Sequence, residues 1–385
     1  MIFTMQTWLR RLTRFDLTVL ITSALLVLVI SLSAALGISA QAIQVAYLKL
    51  GPDRVYNVWI ADPENPAAAR QLTFAQDGIF DFDVSPDGNF IIYAEQDFQM
   101  GASDLYKLDL RTNRVTPLTN CRTQDADCSA PAIRPDGSLV AYQRVALNRN
   151  LPTVGAGSIR IWIADLTTSP PQTYPLVDDD QIVGYGPRWS ADGTRLAFYD
   201  NRNNGILVNE FDAPPDEAWA FIPSDFGEVG SLAPDGGRMV YPEMLIDGSM
   251  TRAFLQVADL DAGVFRPLTD PNETADDQAT AWNPQGRFIA IGRIYRDERF
   301  TRGAQVYLVD TETNNVAPLI VDPRYANGFF RWDTSGQRLA LQRFQQLDDE
   351  GQIYTDGTTE VWTYDMESRR LIQIDTDARN PIWVP

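Results

Sequence analysis

Six acidic residues recur along this 385-residue chain in one setting. Asp62, Asp109, Asp165, Asp259, Asp310 and Asp365 each end a short apolar-aromatic run, as in Val58-Trp59-Ile60-Ala61-Asp62. Carboxylates bind calcium when several oxygens converge within one loop. These six lie far apart in sequence, so each is read instead as a cap, its side chain accepting backbone N–H groups of the turn that follows. The acid clusters in "VDDDQ", after Val177, and "LDDEG", after Leu347, read as solvated loops. The chain has no histidine, which removes histidine-based acid–base catalysis, serine and cysteine nucleophiles paired with histidine, and histidine-ligated metals. Its two cysteines, Cys121 and Cys128, stand in "CRTQDADC". Outside the cytoplasm such a pair oxidises to a disulfide that staples one short loop. No further soft ligand is near them for a metal site, and neither a metal nor a cofactor is expected. Asp, Glu, Tyr and Lys are left as groups able to carry chemistry.

The elements that position these residues are strands. After residue 42 the chain shows short runs of Val, Ile, Leu, Tyr, Phe and Trp cut by Gly, Pro, Asp and Asn. The acid-ended run returns seven times, counting a weaker copy at Ile206–Glu210, at intervals of about 50 residues. Between the copies falls a polar turn: "DVSPDGNFIIYAE", "APAIRPDGSLVAYQR", "RWSADGTRLAFYD", "SLAPDGGRMVYPE", "AWNPQGRFIAIGR" and "RWDTSGQRLALQR". Asp caps its own backbone there, and Gly takes a positive φ at little cost. A further strand closes each unit, as in "RQLTF", "TPLTN" and "RPLTD". Four short strands per unit, repeated radially, predict an all-β, seven-bladed β-propeller of four-stranded antiparallel blades over residues 43–385. The first unit, starting at "QVAYLKL", lacks its innermost strand. The end of the chain supplies one, because Trp383 in "ARNPIWVP" matches Trp189, Trp282 and Trp332. Asn380–Pro385 is therefore expected to close the ring. Trp59, Trp162 and Trp362 also sit at equivalent positions, as expected of packing between blades.

The turn pattern, the strand after it and the "PLT" closing strand together resemble the TolB-like propeller family, relatives of the WD-type repeats. The resemblance covers residues 43–385 and implies a propeller. TolB itself has six blades behind a small α/β domain, whereas seven units are counted here. Related propellers also form half of prolyl oligopeptidase-type enzymes, and no G-x-S-x-G nucleophile elbow occurs in this sequence. By analogy of fold, ligands bind at the central channel. The polar residues of the innermost strands, Asp81, Asp83, Arg134, Arg188 and Arg331, are the candidates for its mouth. The insertions 144–158, 294–303 and 342–358 all join a second strand to a third, so they should crowd on one face, where partners bind.

From Leu17 to Ile38 the chain carries no charge, and about 20 apolar residues cross a bilayer. Arg10, Arg11 and Arg14 precede this run, which places residues 1–16 in the cytoplasm and the propeller on the extracytoplasmic side. Residues 17–38 are read as a single-pass signal anchor. Cleavage after Ala40-Gln41-Ala42 is the rival reading, and it too exports the propeller. The net charge of −19 repels phosphate backbones, so no nucleic acid is expected. Two functions follow from these features. One is a membrane-anchored, non-enzymatic module binding a protein partner or a cell-envelope polymer on the loop-rich face. The other is a carboxylate-dependent hydrolase or lyase acting on an envelope polysaccharide or peptide.

Overall fold

The polar turns that mark the repeat are each closed by one backbone bond. Gly88 N–H donates to the Ser85 carbonyl, Gly137 to Arg134, Gly193 to Ser190, Gly236 to Ala233, Gly286 to Asn283 and Gly336 to Asp333. All six glycines have φ between 64° and 81°, a region that penalises any side chain. The turns join strands into seven antiparallel sheets of four strands each, a seven-bladed propeller in this computed structural model. The structure describes residues 43–385 except 152, 180, 212, 215, 216 and 249. The proposed anchor at 17–38 lies outside the described residues.

Six blades take their strands in chain order. Their innermost strands are Ile79–Val84 (blade 2), Ala126–Ile133 (blade 3), Tyr185–Trp189 (blade 4), Ser231–Leu232 (blade 5), Ala275–Trp282 (blade 6) and Tyr325–Trp332 (blade 7). Blade 1 takes its innermost strand, Ala378–Val384, from the end of the chain. This strand pairs antiparallel with Gln44–Leu50, with Val384 opposite Gln44, Trp383 opposite Val45 and Ile382 opposite Ala46. Every acid-ended run is the third strand of its blade. At the turns that follow, Asp62, Asp109, Asp165, Asp259, Asp310 and Asp365 accept N–H groups from Glu64, Thr112, Thr167, Ala262, Glu312 and Ser368.

The core is divided among the blade interfaces. Seven apolar clusters each join two neighbouring blades, including one between blades 7 and 1 built on Val45, Tyr47, Ala340, Val361 and Trp383. Indole donors cross the same seams. Trp189 Nε1–H donates to the Ala132 carbonyl, Trp332 to Ala281 and Trp383 to Arg331, each reaching the innermost strand of the preceding blade. Trp59, Trp162 and Trp362 pack partly buried against these clusters.

Cys121 and Cys128 form a disulfide across a single 3-10 turn, Cys121–Gln124, between blades 2 and 3. Both residues are buried in the cluster shared by those blades. Replacing both by serine is expected to cost about 2–3 kcal/mol, the loop-closure value for so short a ring. A thermal melt of the double variant beside the oxidised wild type reads this directly. Equal melting temperatures would show that packing alone holds the loop.

Candidate functional site

A bulge in the innermost strands builds the channel wall. Pairing with the second strand shifts between Ser129 and Ala132, Tyr185 and Arg188, Gln278 and Ala281, and Gly328 and Arg331. At these shifts Ala130, Gly186, Ala279 and Phe329 adopt left-handed backbone, as does Asn380 in blade 1. A bulge turns the strand and re-aims its side chains. Phe329 thereby comes to line three adjoining cavities.

A cavity of 610 Å³ opens where the innermost strands of blades 1, 2, 3 and 7 begin, at the level of the second-to-third-strand loops. Phe80, Asp81, Asp127, Phe329, Gln342 and Arg379 line it. Phe80 and Phe329 are exposed there. Arg379 stacks on Tyr56, its guanidinium carbon 4.0 Å from the ring centroid, while its Nε is buried without a partner. Further along the channel a second cavity of 330 Å³ holds Arg188, Glu228, Thr280 and Arg331. A third of 120 Å³ joins Asp81 to Arg188 and Arg331.

The structure thus brings four of the five candidates to the channel. Asp83, Arg188 and Arg331 occupy the same repeat position in blades 2, 4 and 7. Asp83 accepts the Ile133 N–H at 2.7 Å and the Val84 N–H at 3.0 Å, which straps blade 2 to blade 3. The Ala130 backbone and the charges of Arg379 and Arg188 favour the Asp81 carboxylate. Desolvation in the channel wall raises the pKa of both carboxyls, against these bonds and the pull of nearby arginines. With both oxygens accepting backbone N–H groups, Asp83 is occupied as a strap. The Arg331 guanidinium is pushed down to about 10, first by burial and then by the like charge of Arg188, with Asp83 opposing. Burial also raises Glu228, which Arg188 partly offsets.

Arg134 requires a correction. It is not at the channel mouth but opens the polar turn at the opposite end of its strand. Its Nε donates to the Gly193 carbonyl at 2.8 Å, and its guanidinium lies over Trp189. In the repeat it stands where Ser85 and Ser190 stand, one residue past the channel-facing stretch.

Phe329, Glu228, Thr280 and Arg379 are site residues that the sequence reading missed. Phe329 was within reach, because it holds the repeat position of Asp81. Glu228 precedes a strand of only two residues, Ser231–Leu232, where the repeat signal is weakest. Among the described residues no cluster of three or more acidic or cysteine side chains is placed to hold a metal ion.

The chain is similar in structure to several solved propellers. No family model matches it, and no curated protein matches it in sequence. TolB from Acinetobacter baumannii aligns over 92% of this chain and 69% of its own, with a TM-score of 0.50 and 16% identity. The β-propeller domain of the Trilobed protease from Pyrococcus furiosus, described as having an open velcro topology, aligns over 77% and 83%, with a TM-score of 0.53 and 13% identity. A puromycin-hydrolyzing peptidase from Mycobacterium tuberculosis gives a TM-score of 0.57 at 14% identity, over 89% of this chain and 55% of that one. At such identities the likeness is one of fold. It is shared by TolB and by the propellers of peptidases.

Proposed function

We propose that this chain is a membrane-anchored, extracytoplasmic binding module that docks a protein partner on its loop-rich face. The observation that carries the reading is where apolar side chains meet solvent. Phe98, Leu151, Val154, Ile246, Phe300 and Ile353 are each 56–69% exposed, and all lie at the second-to-third-strand connections of blades 2, 3, 5, 6 and 7. By the up-and-down order of the strands these connections share one face, the one on which Phe80 and Phe329 surround the channel mouth. Scattered surface apolar residues need no explanation, but a set gathered on one face marks an interaction site. Aliphatic tips such as Leu151 and Ile353 suit the apolar core of a protein interface better than a hydrated polysaccharide. The uncharged run at 17–38 supports anchoring, and the arginines before it support export of the propeller.

Site-specific photo-crosslinking in membranes tests this. A crosslinker at position 98, 151 or 353 of the full-length chain is expected to give a discrete protein adduct. One at position 221 or 264, on outermost strands, is expected to give none. Adducts from the outer strands alone, or from neither set, would contradict the assignment of the face.

A further inference from the structure

The geometry points to a small-ligand site inside the channel, in which Arg188 and Arg331 hold the carboxylate of a ligand that also carries an N–H donor, of the class of a short peptide's C-terminus. This goes beyond docking on the outer loops, because the cavity lies within the ring and its occupant is a small molecule or a chain end. Arg331 donates Nη1–H to the Phe330 carbonyl at 3.0 Å and has no ion-pair partner among the described residues. Arg188 has neither a hydrogen bond nor an ion pair there. Arg188, exposed in the channel, and the half-buried Arg331 thus share one cavity with most of their donors unused by the protein, and one carboxylate can accept from both. Arg293, by contrast, is matched by Asp277 and Glu273. A third group points the same way. Thr280 Oγ1, in the wall of this cavity, is buried with no partner. Its hydroxyl is free to donate to a carboxylate oxygen.

The charges facing the two guanidiniums set the class of anion. Asp83 acts through space on both, and Asp81 and Glu228 on Arg188. Three carboxyls beside two guanidiniums oppose each added negative charge, so a singly charged carboxylate is opposed less than a phosphate dianion. Glu228 is not engaged in any hydrogen bond among the described residues, so it is available to accept the ligand's N–H. Tyr185, Phe329 and Phe330 supply an apolar wall for a side chain. The volume of 330 Å³ is at the small end of ligand pockets, about 300–1,000 Å³, and admits a dipeptide.

Equilibrium binding to the full-length chain in detergent tests the inference, with the dipeptide Ala-Phe, its C-terminal amide and inorganic phosphate as probes. Ala-Phe is expected to bind saturably. R188Q and R331Q should each weaken it about tenfold or more, T280V by less, and the amide should bind about tenfold or more weakly to wild type. R111Q removes the same charge from the exposed surface and should bind as wild type does. Should R331Q fail to fold, R188Q and the amide decide the matter. The site is refuted if Ala-Phe does not bind, if the amide binds equally, or if R188Q is silent. Displacement of Ala-Phe by phosphate at equal or lower concentration would refute the carboxylate assignment. None of these results bears on photo-crosslinking at the loop tips, so the two readings fail separately.

Discussion

A chain ending at residue 379 is expected to lose cooperative folding, or to melt at least about 10 °C below the full-length protein. Loss of Asn380–Pro385 removes most of the innermost strand of blade 1. Trp383 and Val384 are buried, and they belong to different clusters, one facing blade 7 and one facing blade 2. Full burial of each contributes about 1.5–3 kcal/mol. Trp383 also donates its indole N–H to the Arg331 carbonyl at 2.9 Å, which ties blade 1 to blade 7. The ladder bonds along Gln44, Val45 and Ala46 go too, at about 0.5–1.5 kcal/mol each. Together these losses approach the ~5–15 kcal/mol that holds a typical domain. Gln44–Leu50 is then left as an open sheet edge, the usual seed of aggregation. Thermal melts of the truncated and the full-length protein in the same detergent read the difference. Agreement within a few degrees would show that the ring does not depend on its C-terminal strand.

The second large effect is expected at a buried ion pair. Arg293, only 2% exposed, is held bidentately by Asp277 at 2.6 Å and 2.8 Å and by Glu273 at 2.9 Å. Asp277 lies on the innermost strand of blade 6 and Arg293 on its neighbour, so the pair fixes that blade beside the channel. Asp277→Ala leaves a guanidinium in the interior with one partner in place of two. Removal of one partner from a buried pair costs about 3–5 kcal/mol. A propeller of about 340 residues should then melt roughly 4–7 °C lower. The double variant Asp277→Leu/Arg293→Met removes both charges and should recover most of that loss, since an apolar replacement of similar volume is often neutral. A single variant that melts with the wild type, or a double variant no better than the single, would show that the pair is not what secures the blade.

The architecture was legible because each blade repeats two independent signals, the glycine turn and the acid-ended third strand. Agreement between local turn chemistry and global period is what makes a repeat fold readable. The C-terminal strand was legible for the same reason, through the match of Trp383 to Trp189, Trp282 and Trp332. The site was legible only in part. Asp83, Arg188 and Arg331 follow from the repeat register, which is why three residues distant in sequence meet in one channel. The bulge that aims them does not. Ala130, Ala279 and Phe329 take left-handed backbone, and only glycine advertises such a conformation in sequence. Arg134 was misplaced because it stands one residue beyond the channel-facing stretch, at the start of the turn. Asp83 looks like a free acid in sequence, yet its oxygens are spent on backbone N–H groups of blades 2 and 3. Thr280 carries no sequence signal at all, since its hydroxyl matters only for having no partner.

On the proposed function, the loop-rich face of the propeller, with the channel mouth at its middle, is the surface this chain offers to a partner. A cryo-electron microscopy structure of the native complex, purified from membranes through the full-length chain, tests it most directly. The account predicts protein density seated on the second-to-third-strand loops, in contact with residues such as Phe98, Leu151 and Phe329. A partner bound instead to the outermost strands or to the glycine-turn face would contradict it, as would a propeller that purifies alone under gentle extraction.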